Sequence, residues 1–230
     1  MARNRLTIKA SNIALKLEAH YGSPDLGNKA DPLDELIYIA LTRQTTDKAA
    51  QRTWLALTNK YPSWEMLLDV PESEIAEVVA SGGFAQQKAR WIKHTLRIIK
   101  ERFGELSLDS LRELDDADAE RFLCSLPGVN IKSAKCILMY SLNRRVLPVD
   151  THVQRVSERL GLVERGLSSK QLHARLEEIV VPQWRFSFHV NAVVHGRITC
   201  RAVAPKCQEC VVKASCNYYR NEIAYSEQNE

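Results

Sequence analysis

Apolar positions recur at helical spacing along most of the chain, and alternating strand-like patterns of useful length are absent. Asp31-Pro32 supplies an N-cap followed by proline at the first helical position, and Leu33, Leu36, Ile37, Ala40 and Leu41 then share a face. This predicts a helix over 32–42. The same reading predicts helices over 47–61, 71–81, 87–102, 107–114, 117–126, 131–142, 150–160, 168–180 and 184–198. Short breaks such as Tyr61-Pro62-Ser63 and Ser81-Gly82-Gly83 separate them. The expected fold is all-α, with helices joined by short turns. No repeat period or long linker interrupts the pattern, so a domain division has to arise in the packing, with 143–149 the expected crossing point.

Composition narrows the classes without naming a partner. The 230 residues suffice for one large domain or two modest ones, and 45% hydrophobic content excludes disordered and low-complexity classes. No apolar run approaches the roughly 18 residues of a membrane span, and residues 1–9 lack the apolar core of a signal peptide. A reducing, cytoplasmic setting with no membrane partner is expected. Lys and Arg (32) exceed Asp and Glu (28) by four, too small a surplus to argue for nucleic acid. Local chemistry has to carry that argument.

The first chemical constellation is Leu126-Pro127-Gly128-Val129-Asn130-Ile131-Lys132-Ser133-Ala134. Pro127 and Gly128 end one helix, and Gly128 and Asn130 are residue types that tolerate positive φ, so a helix–hairpin–helix is expected. Its exposed amides and the following helix dipole could hold a phosphate; a plain αα-hairpin is the alternative. Lys132 lies in the first turn of a helix that is apolar nearly all round from Ala134 to Tyr140 apart from Lys135, which predicts a buried helix and partial desolvation of Lys132. A lysine nucleophile must lose its proton, which an unperturbed lysine holds up to a pKa of about 10.4. The helix terminus supplies about 0.3–1 kcal/mol, so desolvation or a neighbouring cation such as Lys135 has to supply most of the shift. A snorkelling surface lysine is the competing reading.

Asp150 opens the next helix in Pro148-Val149-Asp150-Thr151-His152-Val153. It reads as an N-cap, and a capping carboxylate that also faces a cleft could stabilise an oxocarbenium-like sugar or steer protons. The second constellation is Cys200-x6-Cys207-x2-Cys210-x5-Cys216. Four thiols within seventeen residues, with only one C-x2-C pair, fit wrapping of a compact metal group, and spacing leaves a cubane iron–sulfur cluster and zinc both open. Cys124 and Cys136 read as small core residues. Trp54, Trp64, Trp91 and Trp184 read as dispersed packing residues. His152 and His195 are expected to orient neighbours, and the chain past Tyr219 reads as a polar tail.

Residues 126–134, the Val149-Asp150-Thr151-His152-Val153-x-Arg155-Val156 stretch, His195-Gly196-Arg197-Ile198-Thr199-Cys200 and the four-cysteine tail together resemble endonuclease III, of the helix–hairpin–helix DNA glycosylase superfamily. The order and intervals are similar from about Pro32 to Cys216. The resemblance implies two helical domains: a six-helix barrel over 33–143 containing the hairpin, and a second domain of 1–32 with 144–230 carrying a [4Fe–4S] cluster on Cys200, Cys207, Cys210 and Cys216. DNA would lie in the groove between them.

What the resemblance implies about activity is base-excision repair on double-stranded DNA holding damaged bases or abasic sites, by a monomer. Lys132 matches the family's catalytic lysine and Asp150 its catalytic aspartate. A flipped nucleotide would let Lys132 attack C1′, displace the base and form a Schiff base, after which β-elimination cuts the strand. Gln44 matches the glutamine that fills the vacated space, and Phe84 the apolar wedge. Gly128 and Asn130 in the hairpin, with Arg197, Arg201 and Lys206 at the cluster loop, would meet the phosphate backbone. Three departures stand out: Asn130 replaces a hairpin glycine, Arg43 replaces a small residue, and Ala85-Gln86-Gln87 differ from the family's lesion-side loop. Oxidised pyrimidines are the expected substrate; a mismatch or adenine glycosylase, a non-catalytic damaged-DNA binding module and a redox protein are the alternatives.

Overall fold

The computed structural model describes residues 2–223. The regular structure in those residues is all helical, with no strand among them. The chain divides into two compact units, one of residues 28–144 and one of residues 1–27 with 145–230.

The discontinuous unit begins with α1 (Ala2–Tyr21). The continuous unit then runs through α2 (Pro32–Thr42), α3 (Asp47–Lys60), the single turn α4 (Met66–Asp69), α5 (Glu72–Val79), α6 (Ala85–Phe103), α7 (Asp116–Ser125) and α8 (Ile131–Tyr140). The chain re-enters the first unit with α9 (Thr151–Leu160), α10 (Ser169–Ile179) and α11 (Arg185–Ile198). Beyond α11 the cysteine segment holds only short 3-10 turns, and Tyr219–Ile223 forms a π-helical turn. The polar tail expected past Tyr219 otherwise lies outside the described residues.

Local chemistry sets the helix starts. Asp31 Oδ1 accepts the Leu33 and Asp34 amides at 2.9 Å each, with Pro32 at the first helical position as expected. Predicted helices over 107–114 and at 184 are instead a 3-10 turn at Asp109–Glu113 and a 3-10 turn at Pro182–Trp184 that leads into α11. Each is too short to complete α-helical hydrogen bonding before its neighbour begins.

The continuous unit buries Leu36, Ile37, Leu41, Leu57, Ile75, Ile92 and Leu96 completely, and each is worth about 1.5–3 kcal/mol relative to exposure. In the discontinuous unit Ile13 and Leu17 of α1 pack with Val153, Val156, Leu176 and Phe188. Cys136 is buried as expected. Cys124 is exposed, a correction, because it falls on the outer face of α7 while Ala119 and Leu123 face inward. No helix of the described residues is long and apolar enough to cross a membrane.

Candidate active site

The hairpin is built from its capping groups. After α7, Leu126 turns to extended backbone, Gly128 adopts φ +70°, and the Val129 amide donates to Leu126 O at 3.1 Å. Asn130 does not take the positive φ expected of it, a correction; at φ −103° it is the N-cap of α8, its Oδ1 accepting the Ser133 amide at 2.9 Å. A side-chain cap needs extended backbone, and that requirement wins over asparagine's tolerance of the left-handed region. Only Gly128 makes the left-handed turn, and it does so under load. A Cβ there would lie 2.2 Å from Trp91 Nε1 and 2.9 Å from Arg43 Nη1. Trp91, read from sequence as plain packing, is half-buried against this glycine, and its Nε1 is buried with no hydrogen-bond partner among the described residues.

Lys132 is the second residue of α8 and half-buried, on a helix that is buried from Ser133 to Met139, close to the span the sequence predicts. The neighbouring cation is a correction: Lys135 is itself buried and pairs with Glu120 at 2.8 Å, so its charge is offset rather than turned on Lys132. A residue that sequence reasoning missed stands closer to the question. Glu35 of α2 is 0% exposed, and burial pushes its carboxyl up to about 7, against the pull of the Lys29 amide, the Asn28 side chain and the charges of Lys132 and Lys29. Its Oε2 accepts the Lys29 amide at 2.7 Å. The Lys29 ammonium turns away over Tyr38 and Trp54, 4.2 and 5.1 Å from their ring centroids.

Gln44 and Phe84 share one cleft of about 500 Å³ with Arg43, Lys88, Trp91 and Gly128. Both have left-handed backbone, φ +50° and +51°, which is costly for residues with a Cβ. Phe84 is 57% exposed, a large apolar ring facing solvent.

Asp150, in the other unit, is the N-cap of α9, with Oδ1 accepting the Val153 amide at 2.7 Å. Its approach is fixed from both sides. The Val149 amide donates to His173 Nε2 at 3.1 Å, and His189 Nδ1 donates to Pro148 O at 2.9 Å. The His152 and Arg155 motif positions serve a close helix crossing: Arg155 Nη2 lies 3.0 Å from His152 Nδ1 and donates to Gly196 O at 2.7 Å, while its Nε donates to Cys200 O at 2.9 Å. A Cβ on Gly196 would meet His152 Cβ at 2.8 Å.

Cys200, Cys207, Cys210 and Cys216 line one small cavity. Arg159, another residue missed from sequence, wraps it. Its Nη1 donates to Cys200 Sγ at 3.4 Å and to Arg201 O at 2.7 Å, and its Nη2 to Ala202 O at 3.1 Å. The Tyr219 amide points at Cys216 Sγ, 3.4 Å away, and His195 Nε2 lies 3.6 Å from Cys210 Sγ. Burial holds His195 down to about 4, so it orients Tyr21, 2.9 Å from its Nδ1, in the neutral form. Burial, joined by the other cysteines, pushes the Cys210 thiol up to about 11. Among the described residues no three His, Cys, Asp or Glu side chains converge tightly enough to hold one metal ion. Arg197, Arg201 and Lys206 are all exposed beside this cradle; Arg201 donates to Ala204 O at 3.0 Å, and Lys206 lies 3.6 Å from Glu209.

Residues 37–182 match the family description of the HhH-GPD superfamily of base excision DNA repair proteins. Endonuclease III of Bacillus subtilis is 30% identical over 188 residues, 81% of this chain and 81% of that one. A longer Arabidopsis thaliana relative with a DNA glycosylase name is 30% identical over 72% of this chain, which spans 57% of its length. The solved structure of a trapped endonuclease III–DNA covalent intermediate is 24% identical and superposes with a TM-score of 0.79 over 96% of this chain and 98% of that one, a likeness of fold. The chain belongs to the endonuclease III family of that superfamily.

Proposed function

We propose that this protein is a base-excision DNA glycosylase and abasic-site lyase that removes oxidised pyrimidines from duplex DNA, acting as a cytoplasmic monomer. The observation that carries the reading is Lys132. It is half-buried in the first turn of a buried helix that starts directly after the Gly128 turn, with the fully buried Glu35 within reach of its charge.

The chemistry asks three things of this chain. DNA must be opened, and Phe84 and Gln44 supply an exposed apolar wedge and a polar filler on one cleft. The neutral Lys132 amine then bonds to C1′ as the glycosidic bond breaks and the base leaves with the bonding pair. Loss of a proton from nitrogen and opening of the sugar give the Schiff base, and β-elimination breaks the C3′–O bond. Asp150 has one oxygen committed to capping α9; by the resemblance its carboxylate would be the negative charge that an oxocarbenium-like sugar needs.

The four thiols line one cavity and are the soft donors that a metal group takes. A [4Fe–4S] cluster on Cys200, Cys207, Cys210 and Cys216 fits, and when bound it supplies a cross-link for the segment. Arg197, Arg201 and Lys206 would then present positive charge to phosphates.

Borohydride reduction in the presence of abasic duplex DNA tests the reading. A covalent adduct mapped by mass spectrometry to Lys132 and lost in Lys132→Ala supports it. An adduct on another side chain, or binding without an adduct, overturns the lyase. A panel of single-lesion duplexes scored for base release decides between oxidised pyrimidines and mismatched bases or adenine.

A further inference from the structure

We infer that Lys88 is a positioning residue that ties together the two loops carrying Gln44 and Phe84, so that these side chains meet DNA as one preset pair; the inference rests on the DNA-opening role proposed for them. Lys88 lies on α6, yet only 5% of it is exposed. Its Nζ donates to Leu41 O at 2.9 Å and to Gly82 O at 2.8 Å. Leu41 is three residues before Gln44, and Gly82 is two before Phe84.

Both acceptors sit where the backbone needs a donor. Leu41 O is among the last carbonyls of α2, and Gly82 O closes the 3-10 turn Ala80–Gly82, so neither has a following helical turn to satisfy it. An ammonium between two such ends neutralises the negative end of the α2 dipole as well. Burial alone shifts Lys88, pushing its pKa below the ordinary lysine value, and the two carbonyls compensate an otherwise lone buried charge.

The Gly82 side of the tie leaves no slack. A Cβ there would stand 2.9 Å from Thr53 Oγ1 and 3.4 Å from Lys88 Nζ. Thr53 is fully buried, donates to Ala49 O at 2.9 Å and lies 3.2 Å from Ser81 Oγ, so the 81–83 loop is gripped from α3 and α6 together. Strained backbone persists only where its surroundings over-determine it. Two left-handed residues, Gln44 and Phe84, follow the two carbonyls that one ammonium holds. Removing the ammonium should let both relax.

A double-mutant cycle on duplex DNA tests this without any chemistry. The probe is a duplex carrying a tetrahydrofuran abasic analogue beside 2-aminopurine, whose fluorescence rises when the helix is opened. Phe84→Ala should lose most of the rise, Lys88→Met should lose a comparable part, and the double variant should lose no more than Phe84→Ala. Additive losses would mean that Lys88 acts elsewhere, and an unchanged rise in Lys88→Met would mean that it positions nothing; either overturns the inference. If Lys88→Met does not fold by circular dichroism, Lys88→Gln, which retains a donor for one carbonyl, is run through the same cycle with the same criteria. Wild-type borohydride trapping on single-stranded abasic DNA reads Lys132 separately, so failure of the lyase reading and failure of the tie are distinguishable.

Discussion

The hairpin of the continuous unit and the cysteine segment of the discontinuous one each gather reactive side chains, and they do so by opposite means. The hairpin is held by regular structure: α7 and α8 on either side, an asparagine cap, a glycine turn packed under Trp91, and a buried helix beyond. The cysteine segment has only short turns of its own, and is tied to the unit by Val212, buried in its core, and by Arg159, which bonds Cys200 Sγ and the Arg201 and Ala202 carbonyls. One site is held between two regular helices; the other is an irregular segment on a few ties, which a metal group of the proposed kind would reinforce.

The largest expected effect tests that contrast. Cys210→Ala should abolish absorbance near 400 nm in the purified protein and leave amides of 200–223 exchanging as unstructured chain, while 28–144 keeps its protection. Equal loss of protection in both units would show that the hairpin also depends on the cradle. Gly128→Ala attacks the other side. It combines left-handed strain of about 1–2 kcal/mol with overpacking against Trp91 of about 1–3 kcal/mol. Chemical denaturation should show a loss of about 3 kcal/mol, with the 400 nm absorbance retained. A loss under 1 kcal/mol would mean that Trp91 moves aside at little cost.

Glu35 gives the continuous unit a pH dependence of predictable sign. Its carboxyl titrates near 4.5 in the unfolded chain and at about 7 in the folded one, mainly because it is buried. Between those values the folded state keeps a proton that the unfolded state has released, so stability falls as pH rises through the window, by about 3 kcal/mol in all. Glu35→Gln should flatten that slope in denaturation curves taken from pH 4.5 to 8. A slope unchanged by the substitution would place the titration elsewhere.

Glu35, Lys88 and Arg159 also mark where the sequence stops being informative. The start of α2, the hairpin boundaries and the burial of α8 are written locally, in Asp31-Pro32, in Pro127-Gly128 and in the apolar run after Ser133. The resemblance put Gln44 and Phe84 in related roles, and the structure gives them one cleft and the same backbone conformation. Charged residues on helices read as solvent-facing, however, and only tertiary packing reveals otherwise. Lys88 is buried because its acceptors come from residues 41 and 82, and Arg159 matters because it reaches carbonyls more than forty residues away. Periodicity carries no such information. Cys124 fails in the opposite sense, since an apolar neighbourhood in sequence does not say which face of α7 it occupies.

The smallest effect is at Asn130, where sequence and structure assign different work to one residue. Read as a substitute for a hairpin glycine, Asn130 would be a compromise, and Asn130→Gly would relieve it. Read as the N-cap seen at φ −103°, with Oδ1 on the Ser133 amide, it already satisfies an amide that glycine leaves to solvent. The two readings differ in sign. Cap energetics give a loss of a few tenths of a kcal/mol for Asn130→Gly and of about 1 kcal/mol for Asn130→Ala, because glycine keeps the cap conformation open to water and alanine blocks it without replacing the acceptor. Thermal melts of the two variants side by side should show alanine below glycine and both below the parent. A glycine variant more stable than the parent would mean that the turn, not the cap, limits this hairpin.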